Sequence, residues 1–304
     1  MPTIRKVAIF GVAGNFGTPI TAALVKAGFE VTIVTRVESA SIFPPGLPVI
    51  RTEYTVEKLT TALAGQDAVV CAVGPAGISA QVAMIDAAEA VGVKRFIVDD
   101  FGWGPDFRTL PEFQPIGVQR RVAWGHAKEL ADANPQFTWT GVSIGNPIDW
   151  ALKRFPLMGF DVKQRSAIIY DGGIEDFTGT TLDGIGQAIV GVLNHANETK
   201  NRFVKARSIQ TCQSQLLDAF QRGTGQAWKV DQSSVKDLLE SGRKKHQAGI
   251  SGWVLELMVY QLYTPGEARC IVASKEDSDA ELLGIKEETP DDIVKKVLKS
   301  VTNR

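Results

Sequence analysis

The feature that most constrains this chain is an alternation of strand and helix patterns over its first hundred residues. The runs "RKVAIF" (5–10), "EVTIVTR" (30–36), "LPVIRTEY" (47–54), "DAVVCAVG" (67–74) and "KRFIVDD" (94–100) are apolar and β-branched and read as strands. Between them, "TPITAALVKAG" (18–28), "TVEKLTTALAG" (55–65) and "SAQVAMIDAAEAVGV" (79–93) place apolar residues at helical spacing, and Gly28 closes the first helix. Strands alternating with helices form βαβ units, which require a parallel sheet and right-handed crossovers. The pattern therefore predicts an α/β fold of the doubly wound type.

The seven residues joining the first strand to the first helix, "GVAGNFG", carry the first chemical signal. A glycine pattern alone also fits an ordinary turn, but here Gly11, Gly14 and Gly17 sit where backbone N–H groups and a helix dipole can receive a pyrophosphate. Gly11 permits the tight turn, Gly14 close approach of phosphate and Gly17 close packing of helix on strand, with Asn15 and Phe16 completing the loop. The end of the second strand selects the nucleotide. A site for NAD places a carboxylate there for the ribose hydroxyls, whereas this chain has Thr35 and Arg36, so NADP(H) is the expected cofactor. The competing reading makes Arg36 a solvated arginine and turns Glu38 toward the ribose.

Other partner classes are excluded by composition. A formal net charge of -1 leaves no broad basic footprint for nucleic acid, and 44% hydrophobic residues with no apolar run of about 20 argue against a membrane protein. The start of the chain passes directly into a strand pattern without a secretory signal, so a cytoplasmic location is expected. Cys71, Cys212 and Cys270 are widely spaced and read as small packing residues; with His126, His195 and His246 they form no metal-ligand array, so no metal is expected.

After residue 100 the alternation loosens into a Gly, Pro and aromatic-rich loop (101–115), a helix "IGVQRRVAWGHAKELADA" (116–133) and a strand "FTWTGVSIG" (137–145). Beyond Trp150 the pattern gives a loop region, a helix over 181–195, a strand "RFVKARS" (202–208) and helices near 213–222, 233–245, 251–262 and 290–302. We divide the chain into a nucleotide-binding part, 1–150, and a substrate-binding part, 151–304, packed against the first and contributing strands to it, because no linker separates them.

In an open α/β sheet the ligand lies beyond the carboxyl ends of the strands. The reactive end of the nucleotide is thus expected to meet Gly74 and Pro75 after the fourth strand, Asp99, Asp100 and Phe101 after the fifth, and Asn146 and Pro147 after the sixth. Tyr54 and Lys58 have the YxxxK spacing that short-chain dehydrogenases use for proton transfer, but they follow the third strand, at the adenine end, and are set aside. Trp103, Trp150, Phe155, Trp253, Tyr260 and Tyr263 offer aromatic surface for a flat ligand, or for packing.

Together, "GVAGNFG", "VTIVTR", "AAEAVGVKRFIVDDFG", "FTWTGVSIGNPIDW" and "ETKNRFVKARSIQT" resemble the isoflavone reductase-like and NmrA-like group of atypical short-chain dehydrogenases/reductases, over essentially the whole chain. The resemblance implies a Rossmann-type NADP-binding domain, a smaller C-terminal substrate-binding subdomain and a cleft between them. It further implies NADPH-dependent reduction of a small aromatic, phenolic or polyketide-like metabolite by a monomer or homodimer. The group also contains dinucleotide sensors that bind a regulatory protein, and that is the alternative. Val98 and Asp99 replace the Pro and Ser usual after the fifth strand, and the usual catalytic lysine falls on Arg120 or Arg121. An arginine does not donate a proton near neutral pH. Candidate donors are then Lys128, which shares i, i+4, i+8 spacing with Arg120 and Trp124, or His126, or the carboxyl pair Asp99 and Asp100.

Overall fold

The computed structural model describes residues 4–302. Strands β1 (Lys6–Phe10), β2 (Glu30–Arg36), β3 (Val49–Thr52), β4 (Ala68–Cys71), β5 (Arg95–Ile97) and β6 (Thr138–Ser143) join β10 (Arg202–Lys205) in one sheet. Its order is β10-β6-β5-β4-β1-β2-β3, and every pairing is parallel. The chain builds outward from β1 to β3, returns to β4 on the other side of β1, and continues outward. A crevice therefore opens at the carboxyl ends of β1 and β4, where the winding direction reverses. The fold is α/β and Rossmann-type.

Alternation along β1 sends its side chains to two separate cores. Val7 and Ile9 pack on one face with Ile20 and Leu24 of α1 (Gly17–Lys26) and Ile185 and Ile189 of α6 (Leu182–Asn194). Ala8 and Phe10 pack on the other with Leu59 of α2 (Val56–Leu63), Met84 and Ile85 of α3 (Gln81–Ala90), and Ala123 and Ala127 of α4 (Gln114–Ala133). All of these side chains are fully buried. Each of the larger ones contributes about 1.5–3 kcal/mol. Helix α4 opens two residues before the expected position because Pro115 sits in its first turn, where a missing N–H costs nothing.

Arg95 is also fully buried, and it links β5 to its surroundings rather than to an acid. Its guanidinium donates to the Thr138 and Thr140 hydroxyls at 2.9 Å, to the Thr199 hydroxyl at 3.0 Å and to the Ala196 carbonyl. Burial lowers its pKa to about 10, which leaves it charged at neutral pH.

The C-terminal part holds a third core, from Ile148 to Val297, built on two small sheets and helices α7 (Gln213–Thr224), α8 (Val235–Gln247), α9 (Trp253–Tyr263) and α10 (Pro290–Thr302). Five short strands here lack a readable sequence pattern: β7 (Phe160–Asp161), β8 (Ser166–Tyr170), β9 (Phe177–Gly179), β11 (Ile209–Thr211) and β12 (Lys229–Ser233). Strand β12, "KVDQS", is polar and mostly exposed, and exists because it pairs with β8 some sixty residues earlier. The second part is bound to the first by β10, which lengthens the main sheet, and by α6, which covers α1.

Candidate dinucleotide-binding and active site

The turn after β1 is shaped by contact with the turn after β4. Gly11 has φ +82°, and a Cβ there would lie 2.1 Å from the Ala72 carbonyl oxygen. A Cβ on Gly17 would lie 2.0 Å from the Gly11 carbonyl, so the helix begins directly on the loop. Both positions exclude any side chain. Gly14 donates its N–H to the Gly11 carbonyl at 2.9 Å and stays exposed. Helix α1 follows Phe16 at its N-cap position, with no side-chain cap and no acidic residue in its first turn, which leaves its positive end available to a phosphate.

A cavity of about 360 Å³ runs from this loop across the end of β2. Arg36, Ser39 and Ser41 line it with Thr35, Phe43 and Tyr54, and Gly74 and Gly77 close its far side. Its lining holds one guanidinium and no carboxylate. Glu38 pairs with Arg36 at 3.3 Å but stands outside the lining. Backbone that only glycine fits, an uncapped helix end and an arginine at the ribose end match a dinucleotide carrying a 2′-phosphate. Ser39, Ser41 and Phe43 were not anticipated; a pair of hydroxyls just past the arginine was the available signal. Tyr54 edges onto Phe10 at 5.5 Å, and burial raises its phenol to about 12, the opposite of what a proton-transferring tyrosine needs. The side chain of Pro75 lies outside the described residues; its backbone opens a short 3₁₀ helix behind Gly74.

Beyond the carboxyl end of β5 lies a buried polar cluster. Asp99 and Asp100 are 2% and 5% exposed, and the chain then turns sharply, with Phe101 at φ +38°. That left-handed backbone is costly for a phenylalanine and is held by contact of its ring with Phe16 of the glycine loop, 5.8 Å between centroids. The backbone of Asp99 is fixed on both sides: its N–H donates to Gln81 Oε1 at 2.7 Å, and its carbonyl accepts from Trp124 Nε1 at 3.0 Å. The Asp99 carboxyl is not: Oδ2 has no hydrogen bond, and Arg120 Nε, also without one, stands 3.8 Å away. Asp100 is better satisfied, accepting from the Ser143 hydroxyl at 3.1 Å and from the backbone N–H groups of Gly102 and Gly104.

Burial raises both carboxyls to about 7. For Asp99 the Arg120 charge pulls the value down and the Asp100 charge pushes it up; for Asp100 the Ser143 hydrogen bond and Arg120 both pull down. The site thus holds two acids able to exchange a proton near neutrality, beside the Arg120 guanidinium.

The other candidates are placed elsewhere. Arg120 and Trp124 face this cluster, but Lys128 is exposed, because eight residues along a helix rotate it roughly 80° from Arg120. His126 Nε2 lies 2.5 Å from Asp86 Oδ1 on α3, so it bridges two helices. Arg121 donates to the Gln114 carbonyl on its own helix. Asn146 is buried, donating to Met158 Sδ with its Oδ1 unpartnered, and Pro147 precedes the short helix α5 (Ile148–Ala151). Of the six aromatic candidates, Trp103 lines a cavity, stacked on Phe107 at 5.4 Å. Trp150 lies under Arg154, Trp253 meets Phe113 and His246, Tyr260 and Tyr263 pack in the third core, and Phe155 is exposed. The three cysteines are buried and unpaired, and among the described residues no helix is long and apolar enough to cross a membrane.

Comparison with known proteins follows this geometry. The sequence profile of the family described as NAD(P)H-binding matches residues 11–167, more than half of the chain. The oxidoreductase poxI of Penicillium oxalicum is 65% identical over 287 residues, covering 94% of this chain and 91% of the relative. Among solved structures, AtPrR2 with NADP+ and (+)pinoresinol superposes with a TM-score of 0.79 at 18% identity, over 98% of this chain and 100% of that one. A leucoanthocyanidin reductase ternary complex from Vitis vinifera gives 0.78 at 18% identity, over 97% and 99%. The chain belongs to the NAD(P)H-binding family and shares the fold of the isoflavone reductase-like enzymes.

Proposed function

We propose that this protein is an NADPH-dependent reductase of a small aromatic or phenolic substrate. The observation that carries the reading is a nucleotide cavity with Arg36 and no carboxylate in its lining, on the same sheet edge as the buried Asp99 and Asp100 and the partly exposed Arg120. The high identity to an oxidoreductase, and the fold shared with AtPrR2 solved with NADP+ and with a leucoanthocyanidin reductase solved with NADPH, support it.

In this reading, Arg36 holds the 2′-phosphate with Ser39 and Ser41 beside it, and the loop from Gly11 to Gly17 holds the pyrophosphate against α1. The backbone about Gly74 and Pro75, with Asn146 and Pro147 opposite, borders the nicotinamide ribose. The bound cofactor supplies a hydride to a substrate carbon. Arg120 then steadies the negative charge that develops on the substrate, and the carboxyl pair supplies the proton, Asp99 being the member whose oxygen is uncommitted. Lys128 and His126 are set aside as donors because neither joins the cluster.

The test is NADPH oxidation, followed by absorbance, against a panel of aromatic ketones, enones and quinones, with calorimetry for the cofactor. Turnover should be found, and Asp99→Asn should lower kcat roughly 10²-fold or more with NADPH affinity unchanged. Full turnover in that variant would remove Asp99 from the mechanism. The presence of arginine rather than lysine in the cluster favours a second reading, a non-catalytic dinucleotide sensor; binding of NADP⁺ alone, with no NADPH consumed on any substrate, would select it.

A further inference from the structure

A second cavity, of about 190 Å³, opens beside the carboxyl ends of β6 and β10. Resting on the reductase reading above, we propose that it is the substrate pocket and that it takes a small aromatic acid, with one or two rings and a carboxylate.

Its position comes first. Ser143 and Gly104 form part of its wall, and the Ser143 hydroxyl is bonded to Asp100, so the pocket borders the carboxyl cluster. Its walls carry Trp103 and Phe107, stacked with 22° between their planes, and Phe203 of β10, which is flat apolar surface suited to a ring. The volume lies below the roughly 300–1,000 Å³ of pockets for drug-sized ligands, which restricts the ligand to one or two rings.

Charge then sets the ligand's sign. Arg108, Lys205 and Arg269 line the pocket against a single lining carboxylate, Asp106. The two arginines are held mainly by neutral groups: Arg108 Nη2 donates to the Glu267 carbonyl at 2.8 Å and Arg269 Nη1 to the Arg108 carbonyl at 3.0 Å. Among the described residues only Glu267, 3.2 Å from Arg269 Nη2, forms an ion pair with either one, and Arg269 Nε is buried without a partner among them. Lys205 is fixed through its backbone, whose N–H donates to Asp279 at 2.8 Å, while its ammonium makes no ion pair among the described residues. A buried unpartnered donor and an uncompensated ammonium on an aromatic-walled pocket are arranged for an anion attached to a ring. The carboxylate would lie toward these cations, leaving the reducible part of the ligand toward Ser143 and Asp100.

The experiment is calorimetric titration of the protein, saturated with NADP⁺, with 1-naphthoate and with its neutral analogue 1-naphthalenemethanol. Naphthoate should bind at least about tenfold more tightly, as one charge-assisted contact of 1.4 kcal/mol or more requires. Lys205→Gln and Arg108→Gln should each reduce that preference, and raising the ionic strength should shrink it. Equal or tighter binding of the alcohol, binding of neither probe, or a preference unchanged in both variants would each overturn the proposal. Failure of NADP⁺ itself to bind would instead overturn the cofactor reading; the same acid and alcohol titrations on the free protein would still decide this one.

Discussion

Arg36 ends β2 with its side chain half exposed and, among the described residues, ion-paired only with Glu38, itself in solvent, so its attraction for a phosphate is little compromised. Arg36→Ala should weaken NADPH binding by roughly 10- to 100-fold and leave NADH binding within about threefold, as loss of a bidentate phosphate contact predicts. Parallel titrations with the two nucleotides would show it, and equal losses for both would reassign Arg36. Asp99 gives a prediction of different kind. Burial raises its carboxyl to about 7, so the folded chain keeps a proton that the unfolded chain releases near pH 4. Its contribution to stability is fully present below about pH 4 and lost as pH rises through about 7. Asp99→Asn has no such proton to lose. The Tm of the variant relative to the parent should therefore climb between about pH 4 and about pH 7 and level off above that, whereas a constant offset would mean that Asp99 ionises normally. Gly11 and Arg36 were legible in the sequence because each answers a local demand, a turn without a side chain and a charge at a strand end. The state of Asp99 was not, since it depends on Gln81, Arg120 and Trp124 arriving from two separate helices. Lys128 was misplaced by taking i+8 as the same helical face, when that face has already turned away.

Arg95 connects β5 to β6 through Thr138 and Thr140 and to the 196–199 segment through Ala196 and Thr199. Those hydroxyls also donate, to the carbonyls of Lys94, Thr199 and Val192, so the guanidinium completes a network rather than forming one alone. Arg95→Ala would leave a cavity and remove the donor to the Ala196 carbonyl, and should cost about 3 kcal/mol or more. Urea denaturation should show a lower midpoint at an unchanged m value; a loss under about 1 kcal/mol would mean that water replaces the guanidinium. The elements themselves divide by how they are stabilised. Strand β2, "EVTIVTR", was bounded correctly by its β-branched run, and α10 by its apolar spacing after Pro290. Strands β8 and β12 were missed because pairing between distant segments, not local pattern, defines them.

At the scale of the whole molecule, the two parts of the chain that meet near residue 150 are not separate in packing. Residues 1–150 supply the nucleotide loop and six strands of the main sheet, but they leave β6 as an open edge and the outer side of α1 uncovered. Both gaps are filled from the second part. Strand β10 pairs with β6 from Thr140 to Ser143, and α6 sets Ile185, Ala188, Ile189 and Val192 into the core shared with Ile20 and Leu24. The packing of α6 is close enough that a Cβ on its Gly186 would meet Ala23 and the Pro19 carbonyl of α1 at 2.8 Å. A fragment ending at 150 would expose four apolar side chains' worth of core, at about 1.5–3 kcal/mol for each of the larger ones, an amount comparable with the whole 5–15 kcal/mol stability of a typical domain. We therefore predict that residues 1–150 alone do not fold, and that the full chain unfolds in one calorimetric transition whose midpoint rises with NADPH. A second transition that stays fixed while the first moves with the nucleotide would show two independent units. Cofactor bound in the first part would then have no thermodynamic hold on the pocket shared with the second.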